Sequence, residues 1–93
     1  MPIKVLFFAE LKEITNKYAE SFNLSNSSIK ELVELLFNKY ATLKNVIWDS
    51  ASDNLKNTVS IAINDSLITN EDKLSILLSN DDKIAFLLPI SGG

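Results

Sequence analysis

The apolar positions fall into a series of short strands interrupted by one strong amphipathic helix. Residues 3–8, IKVLFF, place Ile3, Val5 and Phe7 on one face of an extended chain and Lys4, Leu6 and Phe8 on the other. With two large apolar residues on its second face, this strand is either centrally buried or meets a partner there. AELKEITNK follows as a polar connection of one or two helical turns. In residues 18–24, YAESFNL, the residues Tyr18, Glu20, Phe22 and Leu24 alternate with Ala19, Ser21 and Asn23, giving a second strand with one polar face.

Residues 25–43, SNSSIKELVELLFNKYATL, are the clearest helix. Ser28 followed by Glu31 fits a capping box, in which the hydroxyl satisfies an orphan amide and the carboxylate reaches back. Ile29, Leu32, Val33, Leu36 and Tyr40 keep helical spacing, and Leu35 and Phe37 widen the stripe. Residues 44–57 read as a loop or short irregular helix anchored by Val46, Ile47 and Trp48. TVSIAIN, residues 58–64, is a β-branched strand; Asn64-Asp65 makes a turn and SLIT returns as a short strand. Leu74, Leu77 and Leu78 anchor one or two turns before a polar turn at Asp81 and Asp82. KIAFLL, residues 83–88, is a final strand apolar enough for burial on both faces, and Pro89 stops it by withholding a ladder donor.

The order strand, strand, helix, strand, short strand, final strand predicts an α+β fold, a mixed sheet with one main helix packed across it. The first and last strands are the most apolar and are expected at the centre as parallel neighbours in a β-grasp arrangement. One domain is expected over residues 1–93, with 89–93 as a flexible C-terminal tail.

Composition then narrows the chemistry. The 93 residues contain no cysteine and no histidine, which removes thiol nucleophiles, disulfides, the usual zinc sites and the commonest general base. The acids are scattered without calcium-loop spacing, so no metal site is assigned. Net charge is −3 and every cation is a lysine, which speaks against nucleic acid as a partner. The apolar run at the N-terminus is too short for a signal peptide or a membrane span, so a soluble cytoplasmic protein is expected.

Both glycines of the chain sit at its last two positions, in PISGG. By itself such an end is compatible with simple fraying. It equally suits a thin tail that threads into another protein's active site and presents its α-carboxylate. A carboxylate is a poor electrophile until it is activated as an acyl-phosphate or acyl-adenylate.

Three stretches carry a resemblance. IKVLFFAELKE, IAIND with the following SLI, and DDKIAFLLPISGG resemble the opening, the third strand and the ending of the small subunit of molybdopterin synthase, the MoaD type of ubiquitin-like sulfur carrier. The middle of the chain matches only in pattern. Asp81 stands where that family usually has glycine, and Leu88 replaces the first of two prolines.

The resemblance implies a β-grasp fold and a sulfur-carrier cycle without a bound cofactor. An E1-like adenylating enzyme of the MoeB type uses ATP to adenylate Gly93, and a sulfur donor converts the adenylate to a thiocarboxylate. Gly92 keeps the tail slim. The tail then enters the MoaE-type large subunit of a heterotetramer, where sulfur passes to cyclic pyranopterin monophosphate in molybdenum cofactor biosynthesis. This chain is then a non-catalytic subunit. Phe8 aligns with a partner-contacting aromatic, with an ordinary core position as an equal reading, and Leu67 and Leu87 align with apolar partner contacts, with core as the rival reading. Pro89, Ile90 and Ser91 are expected to enter the partner with the tail. The alternatives are a carrier for thiamine or tRNA thiolation, and a ubiquitin-like protein modifier or interaction module.

Overall fold

The computed structural model describes residues 2–24 and 26–89. Its elements run β1 (Ile3–Leu6), α1 (Ala9–Thr15), β2 (Ala19–Phe22), α2 (Ile29–Lys39), α3 (Ala41–Ile47), β3 (Trp48–Asp49), β4 (Asn54–Leu55), β5 (Ser60–Ile63), β6 (Ser66–Leu67), a 3-10 turn (Lys73–Ser75) and β7 (Lys83–Leu87). One mixed sheet has the order β2-β1-β7-β5-β6, and β3 pairs with β4 separately. β1 and β7 are parallel, with Lys4, Val5 and Leu6 opposite Lys83, Ile84 and Ala85. β2 flanks β1 and β5 flanks β7, both antiparallel. The two most apolar strands therefore hold the centre in the β-grasp arrangement. Among the described residues, no helix is long and apolar enough to cross a membrane.

Strand alternation defines the core. Ile3, Val5, Phe7, Ile61, Ile84 and Phe86 all point to one face and are at most 2% exposed. Ile29, Leu32, Val33 and Leu36 of α2 bury into the same cluster. Each large apolar side chain buried this way contributes about 1.5–3 kcal/mol, so the seam between α2 and the sheet dominates stability. The capping box forms as the spacing predicts. Ser28 Oγ accepts the Glu31 N–H at 3.3 Å, and Glu31 Oε1 accepts the Ser28 N–H at 3.0 Å.

The expected helix through Leu43 needs correction. α2 ends at Lys39, Tyr40 leaves helical geometry at φ −130° and ψ 84°, and α3 restarts at Ala41. Spacing hides this break because Leu36, Tyr40, Leu43 and Ile47 keep helical intervals through it. The cause is tertiary. The Tyr40 ring meets Phe7 edge-on at 6.2 Å between centroids, and its hydroxyl donates to Glu20 on β2. Residues 44–57, expected as a loop or irregular helix, are the last turn of α3 followed by the β3–β4 hairpin. Trp48 is half-buried there, edge-on to Phe37 at 5.7 Å.

Two turns are clipped together beside the final strand. Asn64 and Asp65 take φ 52° and 72°, the left-handed pair of a tight hairpin, and Asp81 supplies φ 68° where glycine was expected by resemblance. The polar turn at Asp81 and Asp82 forms, and within it the Asp82 carboxylate accepts the Ser79 N–H at 2.8 Å and the Asn64 side-chain amide at 2.9 Å. Asn64 Oδ1 in turn accepts the Lys83 N–H at 3.0 Å.

Glu20 ties the β2 edge to the end of α2. Its carboxylate, with only 10% of the side chain exposed, accepts from Lys39, Tyr40 and Lys17, the last at 3.3 Å. Burial pushes this acid up, but the three hydrogen bonds together with the Lys17 charge outweigh it and hold it below its ordinary 4.5. A lowered folded-state value means the stabilisation is present above 4.5 and is lost as pH falls through the folded value. The Tm difference between wild type and Glu20→Gln is therefore expected to be largest near neutrality. It should shrink as melts are repeated at pH values through and below 4.5. A difference independent of pH would mean the carboxylate charge plays no part.

Candidate functional site

The sheet face opposite α2 is partly exposed: Leu67 is exposed, Leu6, Ala19 and Ala62 are half-buried, and Ala85 at its centre is buried. Across it, Ala19, Leu6, Ala85, Ala62 and Leu67 lie in register from β2 to β6, one apolar residue per strand. At about 4.8 Å per strand this row runs roughly 19 Å. Leu67 at its end is 63% exposed. The next row along the strands places Leu87 opposite Ser60, with Phe8 following β1 on the same side.

Phe8 is 50% exposed while its neighbour Phe7 is 2% exposed, the outcome of strand alternation at the end of β1. Phe8 is also the N-cap of α1 in extended geometry. Ala9 then turns the chain with φ 51°, a left-handed conformation that costs a residue with a Cβ about 1–2 kcal/mol. Phe8, Leu87 and Pro89 line one shallow cavity of about 370 Å³, together with Glu10. Because β1 and β7 are parallel, Phe8 and Pro89 leave the sheet at the same end.

The structure thus brings Phe8, Leu87 and Pro89 together and sets Leu67 at the far edge of the same face. Phe8, Leu67 and Pro89 are exposed and Leu87 is half-buried, which removes the core reading for Phe8 and Leu67. Ile90, Ser91, Gly92 and Gly93 lie outside the described residues. Sequence reasoning missed Ala19, Ala62 and Ala85 as part of this face. An alanine gives little signal alone, and these become a surface only when strand register aligns them.

Among the described residues, no group of three or more acids gathers as a metal site. A groove of about 700 Å³ lies on the helix side, lined by Val33, Phe37, Trp48 and Leu74 with charges of both signs, away from the β7 exit. The face opposite α2 is suited to docking: broad, apolar, and continuous with the strand that leads toward the last residues.

A five-stranded mixed sheet with parallel central strands, a helix across one face and a partly exposed apolar face opposite it defines a ubiquitin-like β-grasp protein. The crystal structure of SAMP1 from Haloferax volcanii superposes with a TM-score of 0.84 over 100% of both chains, at 16% identity, and shares the fold. The solution structure of small archaeal modifier protein 1 from Methanosarcina acetivorans has a TM-score of 0.79 and 33% identity, covering 99% of this chain and 96% of that one. The molybdopterin synthase sulfur carrier subunit of Chlamydomonas reinhardtii is 30% identical over 93 residues, 100% of each chain. The ThiS family model matches residues 5–93, and the chain belongs to this family of ubiquitin-like sulfur carriers.

Proposed function

We propose that this chain is the sulfur carrier subunit of a molybdopterin synthase, with the Gly93 carboxylate as the sulfur-bearing group. The observation that carries this reading is the full-length match to the Chlamydomonas subunit. The geometry supports it: the final central strand leads toward Gly92 and Gly93 beside a partly exposed apolar face.

In this cycle an E1-like adenylating enzyme docks on Phe8, Leu67 and Leu87. The Gly93 carboxylate attacks the α-phosphate of ATP and releases pyrophosphate. The terminal sulfur of a persulfide displaces AMP, and a thiol cleaves the resulting acyl disulfide to free the thiocarboxylate. The carrier then docks on the large subunit in the cytoplasm, with Pro89, Ile90 and Ser91 entering beside the terminal glycines. A heterotetramer with two large subunits at its centre follows from the same reading. ATP is bound by the adenylating partner; the acyl adenylate and the thiocarboxylate form on Gly93 of this chain, which also contributes the docking face.

A second reading, a protein modifier that forms an amide with a target lysine, draws on the 33% identity to the Methanosarcina modifier protein. One experiment separates the two. Intact mass is measured after incubation with the cognate adenylating enzyme, ATP and sulfide, then with the large subunit and the pterin precursor. The expected result is a mass gain equal to exchanging one oxygen for sulfur, reversed by the precursor. A thiocarboxylate that the precursor does not discharge points to another sulfur pathway. Lysine-linked adducts without sulfur transfer sink the carrier reading.

A further inference from the structure

We propose that Lys4 and Lys83 form a cationic docking element for a protein partner that sets carboxylates beside an apolar centre. The two residues are register partners on the central parallel strands and both are exposed. Like charges placed directly opposite one another weaken strand pairing. Nothing in the fold offsets this pair: among the described residues, neither ammonium group has a hydrogen bond or ion pair. The nearest carboxylate in sequence, Asp82, is engaged by Ser79 and Asn64.

The charge pattern of the face points the same way. The chain as a whole is −3, yet the strand residues of the face include these two lysines and no acid. Each lysine precedes a member of the apolar row by two positions, Lys4 before Leu6 and Lys83 before Ala85. Cations and apolar row therefore form one continuous surface. Its complement is an apolar patch edged by aspartate or glutamate, which would attract the positive face while an acidic remainder repels other orientations.

The choice of probe rests on the sulfur-carrier reading: it is the cognate adenylating enzyme. Association rate and ATP-dependent pyrophosphate release are measured for full-length wild type, Lys83→Glu and the Lys4→Glu/Lys83→Glu double variant, at low and high salt. The double variant is expected to associate about tenfold more slowly at low ionic strength, with the gap closing at high salt. Lys83→Glu alone, now facing Lys4 with the opposite sign, is expected to raise the thermal midpoint by about 2–4 °C. Its association should nonetheless fall, which a purely structural role does not produce.

Equal association rates and equal salt dependence in all three proteins overturn the proposal and leave the carrier reading standing. Wild type that binds without being adenylated counts against the carrier reading, and the association rates still decide the role of the lysines. Wild type that does not bind at all overturns both. Loss of binding to RNA or phosphatidylserine vesicles in the double variant, with enzyme association unchanged, assigns the lysines to a polyanion and also overturns the proposal.

Discussion

Removing Gly93, or fusing further residues after it, is expected to abolish thiocarboxylate formation and leave the fold intact. The proposed reacting group is a main-chain carboxylate, so no side chain can replace it. Deletion moves the carboxylate back by one residue, about 3.5 Å along an extended chain. Misplacement of a reacting atom by only about 1 Å can cost roughly a hundredfold in rate. A fusion is more severe, because it converts the acid to an amide. The fold tolerates both changes because the core cluster ends at Phe86, with Leu88 packed against it. Intact mass after activation, paired with a thermal melt, checks both halves. An N-terminal fusion is the control and should react normally. Sulfur loading that survives an uncleaved C-terminal fusion would remove Gly93 from the chemistry.

Phe7→Ala and Phe8→Ala are expected to fail in opposite ways. Phe7 is 2% exposed, packs against Tyr40 and belongs to the central cluster. Truncating it removes a buried ring and leaves a cavity, at a cost of about 3–5 kcal/mol. That is a large share of the roughly 5–15 kcal/mol that holds a small domain together. The thermal midpoint should fall by more than about 12 °C. Phe8 is 50% exposed, so Phe8→Ala should change stability by less than about 0.5 kcal/mol. As an aromatic anchor in the proposed interface it should instead weaken association with the adenylating enzyme by about tenfold or more. Urea melts and binding measurements on the two variants give the comparison. Similar destabilisation by both would show that Phe8 is packed in solution, and normal binding by Phe8→Ala would take it out of the interface.

Strand period two placed the adjacent phenylalanines on opposite faces in the sequence, but core and partner contact stayed open for Phe8 until its 50% exposure decided between them. Ile3, Val5 and Phe7 declared the core, and Lys4, Leu6 and Phe8 the other face. The start of α2 was legible, since Ser28 and Glu31 carry their own local hydrogen bonds. So was the hairpin at Asn64-Asp65, where both residues tolerate positive φ. What stayed hidden depended on distant partners. The break at Tyr40 is made by Phe7 and Glu20, some twenty or more positions away, and local spacing runs straight through it. The β3–β4 pair is too short to show a period. Leu6, Ala62 and Ala85 belong to separate strands and form a surface only through the register of the sheet.

The pairing of β1 with β7 joins residues separated by most of the chain, Lys4 with Lys83. Such a long loop must close before its contacts stabilise anything, which slows folding. During synthesis β1 leaves the ribosome before β7 and cannot find its central neighbour until residues 83–87 have been made. Any product that stops short of β7 lacks both the middle of its sheet and the residues proposed to react. Completion of the fold and availability of the terminus are thus tied to the same late event, so an unfinished chain offers an activating enzyme neither a docking face nor an end to modify.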